Sequence, residues 1–244
     1  MNTQLKDKLA VVTGGARGLG AALCERLALE GCKVVVADLK LELAQETCAR
    51  IRDKVRDGMA WAYSADIGDA QQVETMVRDI GERYGPIDIV INNAGIDITK
   101  SIDELSVEEF DRVQQTNLRG PFLLSKYAAV QMRERGSGHI VNIASTAAKR
   151  AWPNASAYHS SKWGVLGLSH ALHAELRPQG IKVTAVVAGG MRTPFLFDRF
   201  PDIDPAVLQE PADVAEAIVG VLGVGGCTVI PEVMILPMRE TSWP

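Results

Sequence analysis

The chain has 244 residues, 47% of them hydrophobic and 23% charged, with a formal net charge of −4. These proportions fit a globular protein with a large core, and the mildly acidic balance argues against a nucleic-acid surface, which needs a basic stripe. The length allows one or two domains, and the unbroken pattern along the chain predicts a single domain over 1–244.

Met1 to Lys8 is polar and lacks the apolar run of a signal peptide. Leu9–Thr13 reads as a strand, followed directly by Gly14-Gly15-Ala16-Arg17-Gly18-Leu19-Gly20 and then by a helix over Ala21–Glu30 with Leu23, Leu27 and Ala28 on one face. Strand, glycine turn and helix in that order form the setting of a dinucleotide site. Gly14 permits the tight turn, Gly18 lets the backbone approach a pyrophosphate, and Gly20 lets the helix pack closely on the strand. The helix N-terminus then offers free N–H groups to the phosphates. Arg17 and Leu19, inside the turn, are further candidate cofactor contacts.

The second strand, Lys33–Asp38, ends in a carboxylate that can either cap the next helix or hydrogen-bond ribose hydroxyls. Beside the glycine turn the ribose role is the better reading, and it favours NAD over NADP. A 2′-phosphate near Asp38 meets like-charge repulsion on the order of a few kcal/mol at an effective dielectric near 20. Leu39 supplies no basic group; Arg17 is the one residue that argues for the phosphate.

Further strand patterns follow at Ala60–Asp66, Ile87–Asn92, His139–Ala144, Lys182–Ala188 and Thr228–Leu236, with helical spacing between them. Such alternation predicts βαβ units and a doubly wound, Rossmann-like α/β parallel sheet of about seven strands. The near-continuous apolar runs Ile87–Ile91 and Val183–Val187 fit strands buried on both faces. The apolar stretch from Ala217 to Ile230 is interrupted by glycines and falls short of the roughly 20 residues a membrane span needs.

His139–Ala144 leads into Ser145, and a helix over Ala157–Arg177, stopped by Pro178, carries Tyr158 and Lys162 on one face. A hydroxyl, a phenol and an ammonium thus converge at the carboxyl edge of the sheet, where open α/β folds bind ligands. A carbonyl gaining negative charge needs a proton donor and hydrogen-bond donors nearby. A free phenol, with a pKa of about 10, is roughly 4 kcal/mol from serving as a base at neutral pH, and an adjacent ammonium narrows that gap. Gly164 and Gly167 in the same helix each cost about 1 kcal/mol against Ala, which predicts a close approach there, within the chain or to another subunit. His159, His170 and His173 read as packing or surface residues.

Gly189–Pro205 is the least regular segment. Pro194, Pro201 and Pro205 are expected to break any helix, and Met191, Phe195, Leu196, Phe197 and Phe200 predict an apolar substrate lid. Substrate contacts are expected from Ile96–Ile98, Ala147–Trp152 and the 191–200 segment, pointing to an apolar or ring-containing substrate. Lys149 and Arg150 are either an anion site or solvated charges. Cys24, Cys32, Cys48 and Cys227 show neither Cys-x-x-Cys spacing nor a His at ligand spacing, so no metal is predicted. Buried, reduced thiols suit a cytoplasmic location. Trp243, in an apolar carboxyl end, suggests docking on the body or on a neighbour.

Taken together, Thr13-Gly14-x-x-x-Gly18-x-Gly20, Asp66, Asn92-Asn93-Ala94-Gly95, Asn117, Ser145 and Tyr158-x-x-x-Lys162 resemble the short-chain dehydrogenase/reductase family, of its compact single-domain type, over nearly the whole chain. The resemblance implies Tyr158 as general acid/base and Ser145 as a hydrogen-bond donor to the substrate oxygen. It implies Lys162 as a ligand of the nicotinamide ribose that lowers the tyrosine pKa, and Asn117 as holder of a relay water. It places Asp66 and Ile67 beside the adenine, Asn93, Ala94 and Gly95 along the cofactor cleft, and Gly189 and Thr193 near the nicotinamide. The implied activity is NAD(H)-dependent hydride transfer between nicotinamide and a secondary alcohol or ketone, of 3-oxoacyl-reductase-like or small ring type, in a homotetramer or homodimer. Ala188-Gly189 departs from the family's usual Pro-Gly, and the carboxyl end departs from its usual Val-Asp-Gly-Gly. Three alternatives stand beside this: a non-catalytic NAD(H) sensor, an NADPH-dependent carbonyl reductase, and a dehydratase or epimerase.

Overall fold

The computed structural model describes residues 4–55 and 59–239. Its centre is a seven-stranded, all-parallel sheet in the order β3-β2-β1-β4-β5-β6-β7. The strands are β1 (Leu9–Thr13), β2 (Lys33–Asp38), β3 (Ala60–Ser64), β4 (Ile89–Asn92), β5 (Gly138–Ile143), β6 (Ile181–Ala188) and β7 (Glu232–Ile235). The helices are α1 (Gly18–Leu29), α2 (Leu41–Lys54), α3 (Ala70–Tyr84), α4 (Val107–Gln114), α5 (Gly120–Arg135), α6 (Ser156–Leu176), α7 (Pro194–Phe197) and α8 (Pro211–Leu222).

Alternate strand residues feed opposite faces, and both faces are covered. Ala10 and Val12 of β1 join Leu23 and Leu27 of α1, Ile51 of α2 and Ile218 of α8 in one core. Leu9 and Val11 join Val73 and Ile80 of α3 and Leu124 and Met132 of α5 in the other. Parallel strands covered by helices on both sides are apolar at most positions, which explains the near-continuous apolar runs in β4 and β6. The order reverses between β1 and β4, which opens a crevice at the carboxyl ends of these strands.

The structure corrects several sequence expectations. β3 stops at Ser64 rather than Asp66: Ala65 N–H makes the last bond to β2, at Asp38 O, and the Asp66 side chain then accepts from Gly68 N–H at 2.8 Å in a turn. β7 begins at Glu232 rather than Thr228, since Pro231 has no N–H to donate; its carbonyl instead accepts from Ala185 N–H. Cys227, in the segment thereby left outside the strand, is exposed, whereas Cys24, Cys32 and Cys48 are buried. The prolines of the 189–205 segment do not abolish helix: Pro194 opens α7 and Pro205 opens a 3₁₀ turn over Pro205–Val207. Proline's fixed φ suits the first helical position, where no N–H is needed. Among the described residues, no helix is long and apolar enough to cross a membrane. Trp243 lies outside the described residues.

Candidate active site

Three separate pieces of chain build the glycine turn. Gly14 and Gly18 take φ of +61° and +53°, and a Cβ on Gly20 would lie 2.0 Å from Gly14 O, so helix and turn meet where only glycine fits. From β4, Asn93 Nδ2 donates to Thr13 O at 3.0 Å and Gly14 O at 3.1 Å, while Thr13 Oγ1 accepts from the N–H of both Asn93 and Ala94. From the 189–205 segment, the buried Thr193 stands over Gly18, its methyl 3.2 Å from where a Cβ would be. Gly189 donates its N–H to Ile235 O of β7.

The N-terminus of α1 has no side-chain cap and no acid in its first turn. Free N–H groups and an unopposed dipole at Leu19 and Gly20 suit a pyrophosphate. Asp38 lies across the turn, its carboxylate accepting from Ala16 N–H at 3.2 Å and Lys40 N–H at 3.1 Å. Carboxylate oxygens retain further lone pairs for ribose hydroxyls. Arg17 and Leu39 are exposed at the rim. Ile67 is buried and fixes the crevice wall by packing on Gly120, where a Cβ would come within 2.6 Å of it. The residues therefore fit a dinucleotide in chemistry and in shape.

Ser145 leaves β5 in extended backbone, its Oγ accepting from Ala147 N–H at 3.1 Å. The Ser145 hydroxyl also favours the ionised form of the Tyr158 phenol, so β5 and α6 bring their polar groups to one region. Lys162 lies one turn along α6, with Nζ 5.6 Å from the Tyr158 ring centroid and donating to Ile143 O at 2.9 Å. Burial pushes the phenol up to about 12, opposed by the Ser145 hydroxyl and reinforced by Asp97. Burial also pulls the Lys162 ammonium down to about 8, with Asp97 opposing.

Asn117 sits at the centre of a π-helical turn, Gln115–Arg119, between α4 and α5. Its side chain clasps one backbone unit, accepting from Ile96 N–H at 2.8 Å and donating to Ile96 O at 2.7 Å, and also donates to Ser161 Oγ at 3.0 Å. Gly95 lies between: a Cβ there would be 3.4 Å from Asn117 Oδ1 and 3.6 Å from Lys162 Nζ.

The three segments expected to surround substrate do meet around Tyr158. Phe195 of α7 lies 6.1 Å from its ring, and Asp97 of the 96–98 segment pairs with Arg199. His159 fastens the third segment: Nδ1 donates to Ala147 O, and Nε2 accepts from Trp152 N–H at 3.1 Å. Lys149, a candidate for an anion site, instead pairs with Glu232 at 2.7 Å. Sequence reasoning gave Ser161 no role, and it placed Asp97 and Arg199 within substrate segments without anticipating that they pair. Ser161 carries no motif, and Asp97 and Arg199 are far apart in sequence, with no spacing signal to join them. Among the described residues no cluster of potential ligands is placed to hold a metal ion.

Comparison with known proteins agrees with this architecture. The short chain dehydrogenase family profile matches residues 8–203. Levodione reductase of Leifsonia aquatica is 36% identical over 220 residues, covering 90% of this chain and 81% of the relative. An uncharacterized oxidoreductase of Thermotoga maritima is 39% identical over 189 residues, 78% of this chain and 73% of that protein. The crystal structure of levodione reductase superposes with a TM-score of 0.90 at 32% identity, covering 98% of this chain and 99% of that one. A metagenomic short-chain oxidoreductase in complex with NADP gives 0.83 at 28%, covering 97% and 100%. With a profile match over most of its length, relatives above 30% identity and a parallel sheet that turns at β1 and β4, the chain belongs to the short-chain dehydrogenase/reductase family of oxidoreductases.

Proposed function

We propose that the protein is an NAD(H)-dependent alcohol dehydrogenase or carbonyl reductase acting on a secondary alcohol/ketone pair. The observation that carries the reading is the meeting of the Ser145 hydroxyl, the Tyr158 phenol and the Lys162 ammonium beside an uncapped helix N-terminus. When bound, the nicotinamide supplies or accepts the hydride. In reduction, Ser145 Oγ–H donates to the carbonyl oxygen and Tyr158 Oη–H delivers a proton to the forming alkoxide. A phenol raised to about 12 is protonated at neutral pH, the form this step needs. In oxidation it is the phenolate form of Tyr158 that takes the alcohol proton, a form the nearby Lys162 ammonium favours and rising pH populates. Asn117 fixes the Ile96 backbone and thereby the cleft wall beside Lys162.

Gly14, Arg17, Gly18, Leu19, Gly20, Asp38, Asp66, Ile67, Asn93, Ala94, Gly95, Gly189 and Thr193 are assigned to the cofactor, with Asp38 on the adenosine ribose. The 189–205 segment serves as a substrate lid over Tyr158, within a single domain spanning 1–244. Repulsion between Asp38 and a 2′-phosphate supports NAD. Two observations favour NADPH-dependent carbonyl reduction as the second reading: Arg17 stands exposed at the rim, and related structures contain NADP or NADPH. The test is titration of wild type and Tyr158→Phe with NADH and NADPH by nicotinamide fluorescence, followed by alcohol turnover. The expected result is NADH at least about tenfold tighter in both proteins, a gap near 1.4 kcal/mol, and turnover lost only in the variant. Wild-type turnover by Tyr158→Phe overturns the mechanism, and equal or tighter NADPH binding moves the assignment to the second reading.

A further inference from the structure

A largely buried ion pair stands beside Tyr158. Arg199 Nη1 lies 2.6 Å from Asp97 Oδ2, with side-chain exposures of only 17% and 4%. Burial raises the Asp97 carboxyl against the opposing pull of Arg199 and of the Ile98 backbone N–H, so the site is a costly place to keep a charge. Removing two charges from water often costs more than their attraction returns, so stability alone gives no reason to place the pair here.

The pair is also incomplete. Asp97 Oδ1 and Arg199 Nη2 are both buried without a hydrogen-bond partner, one an acceptor and the other a donor. The guanidinium stacks on Phe195 at 4.4 Å, lies 5.9 Å from the Phe200 ring, and stands 5.8 Å from the ring of Tyr158. Buried polar atoms are nearly always satisfied, and an exception calls for an explanation. Here two complementary exceptions sit on one pair, side by side with the proposed proton donor.

We infer that Asp97 and Arg199 form a specificity subsite for a second oxygen function of the substrate, next to the carbon that reacts. A hydroxyl there donates to Asp97 Oδ1 and accepts from Arg199 Nη2, completing both groups at once. The preferred substrates are diols and hydroxyketones rather than simple alcohols and ketones. Asp97 belongs to the segment clasped by Asn117, and Arg199 to the segment that carries Phe195 over Tyr158. Substrate recognition and closure of the 191–200 segment are therefore one event: the segment swings to admit substrate and resettles with its guanidinium on the second oxygen. Sites built to hydrogen-bond a hydroxyl discriminate strongly against analogues lacking it, because the site's own polar groups are then left bare.

This inference rests on the oxidoreductase reading, and the experiment separates the two. Butan-2-ol is compared with butane-2,3-diol in oxidation, and butan-2-one with 3-hydroxybutan-2-one in reduction, using wild type, Asp97→Asn and Arg199→Met loaded with cofactor. NADH binding by fluorescence serves as the control for folding. The expected result is a kcat/KM for the dioxygenated compound at least about tenfold above its simple analogue in wild type, collapsing toward parity in both variants. No preference in wild type, or equal losses on both compounds in the variants, overturns the subsite while leaving the oxidoreductase reading in place. If turnover is absent throughout yet the diol still perturbs bound-NADH fluorescence in wild type more than in the variants, the subsite stands and the oxidoreductase reading falls. With neither turnover nor a fluorescence response to the diol, the subsite is overturned.

Discussion

His139 offers a direct test of how burial converts into pH dependence. It lies in β5, 7% exposed, with Nε2 2.9 Å from Thr184 Oγ1. Thr184 Oγ1 donates its own proton to Ile230 O at 2.7 Å, so it accepts from His139 and fixes the Nε2–H tautomer. Burial, helped by Lys182, drives the imidazole from 6.5 down to about 4. The unfolded chain therefore binds more protons between these values, and stability falls as pH drops through the window. At about 1.36 kcal/mol per unit, the full gap is worth roughly 3 kcal/mol, of which about 2 kcal/mol is lost between pH 7.5 and pH 5. His139→Asn keeps a donor near Thr184 and removes the titration. Urea unfolding of both proteins at the two pH values, at one fixed protein concentration, measures the difference. Other ionisable groups are common to both, so their contributions cancel. The wild type is expected to lose about 2 kcal/mol more than the variant; parallel losses refute the assignment.

Gly20→Ala places a methyl 2.0 Å from Gly14 O, so the helix must move off the turn, and NADH affinity is expected to fall at least about a hundredfold while far-UV circular dichroism stays unchanged; unaltered affinity contradicts this packing. Asn117→Ala removes three hydrogen bonds and leaves the Ile96 N–H and C=O unmatched, with an expected stability loss of about 2–4 kcal/mol by thermal or urea unfolding; a loss under about 0.5 kcal/mol would show that water replaces the side chain without cost. Gly164 packs on Leu118, but among the described residues nothing outside its own helix comes within 4 Å of a Cβ placed on Gly167, and Trp163 and Phe122 are 52% and 45% exposed. This α5–α6 face is expected to form a subunit contact in a homotetramer or homodimer, and Trp163→Glu to lower the mass seen in sedimentation; a monomeric wild type discards that view.

Motifs whose residues are close in sequence were legible from spacing. The glycine turn, Asp38, and the pairing of Tyr158 with Lys162 need only one strand–helix unit to be placed, and hydrophobic periodicity places such units well. The alternation of strands with helices likewise determines a parallel sheet, because crossovers must cover both faces. What escaped the reading depended on distant contacts or on backbone detail. The π turn holding Asn117 has no compositional signal, and the proline-opened α7 looked like a helix breaker when it was a helix start. Asp97 lies in a segment expected to touch substrate, but its pairing is invisible until the fold sets Arg199 against it. Cys227 reads as one more buried thiol until Pro231 delays the last strand.

The hydrogen bonds from Asn93 to Thr13 and Gly14 carry a consequence for how the protein matures. The glycine turn is sequence-local, yet its final shape is held from the end of a strand that arrives about eighty residues later, after three intervening helices and two strands. Contacts of that span form late, because the loop-closure entropy must be met before they reward the chain. A nascent chain ending before β4 thus carries the whole glycine sequence without the brace that shapes it. Cofactor capture waits for β4 to dock beside β1, and dinucleotide cannot act as a template for the first half of the fold.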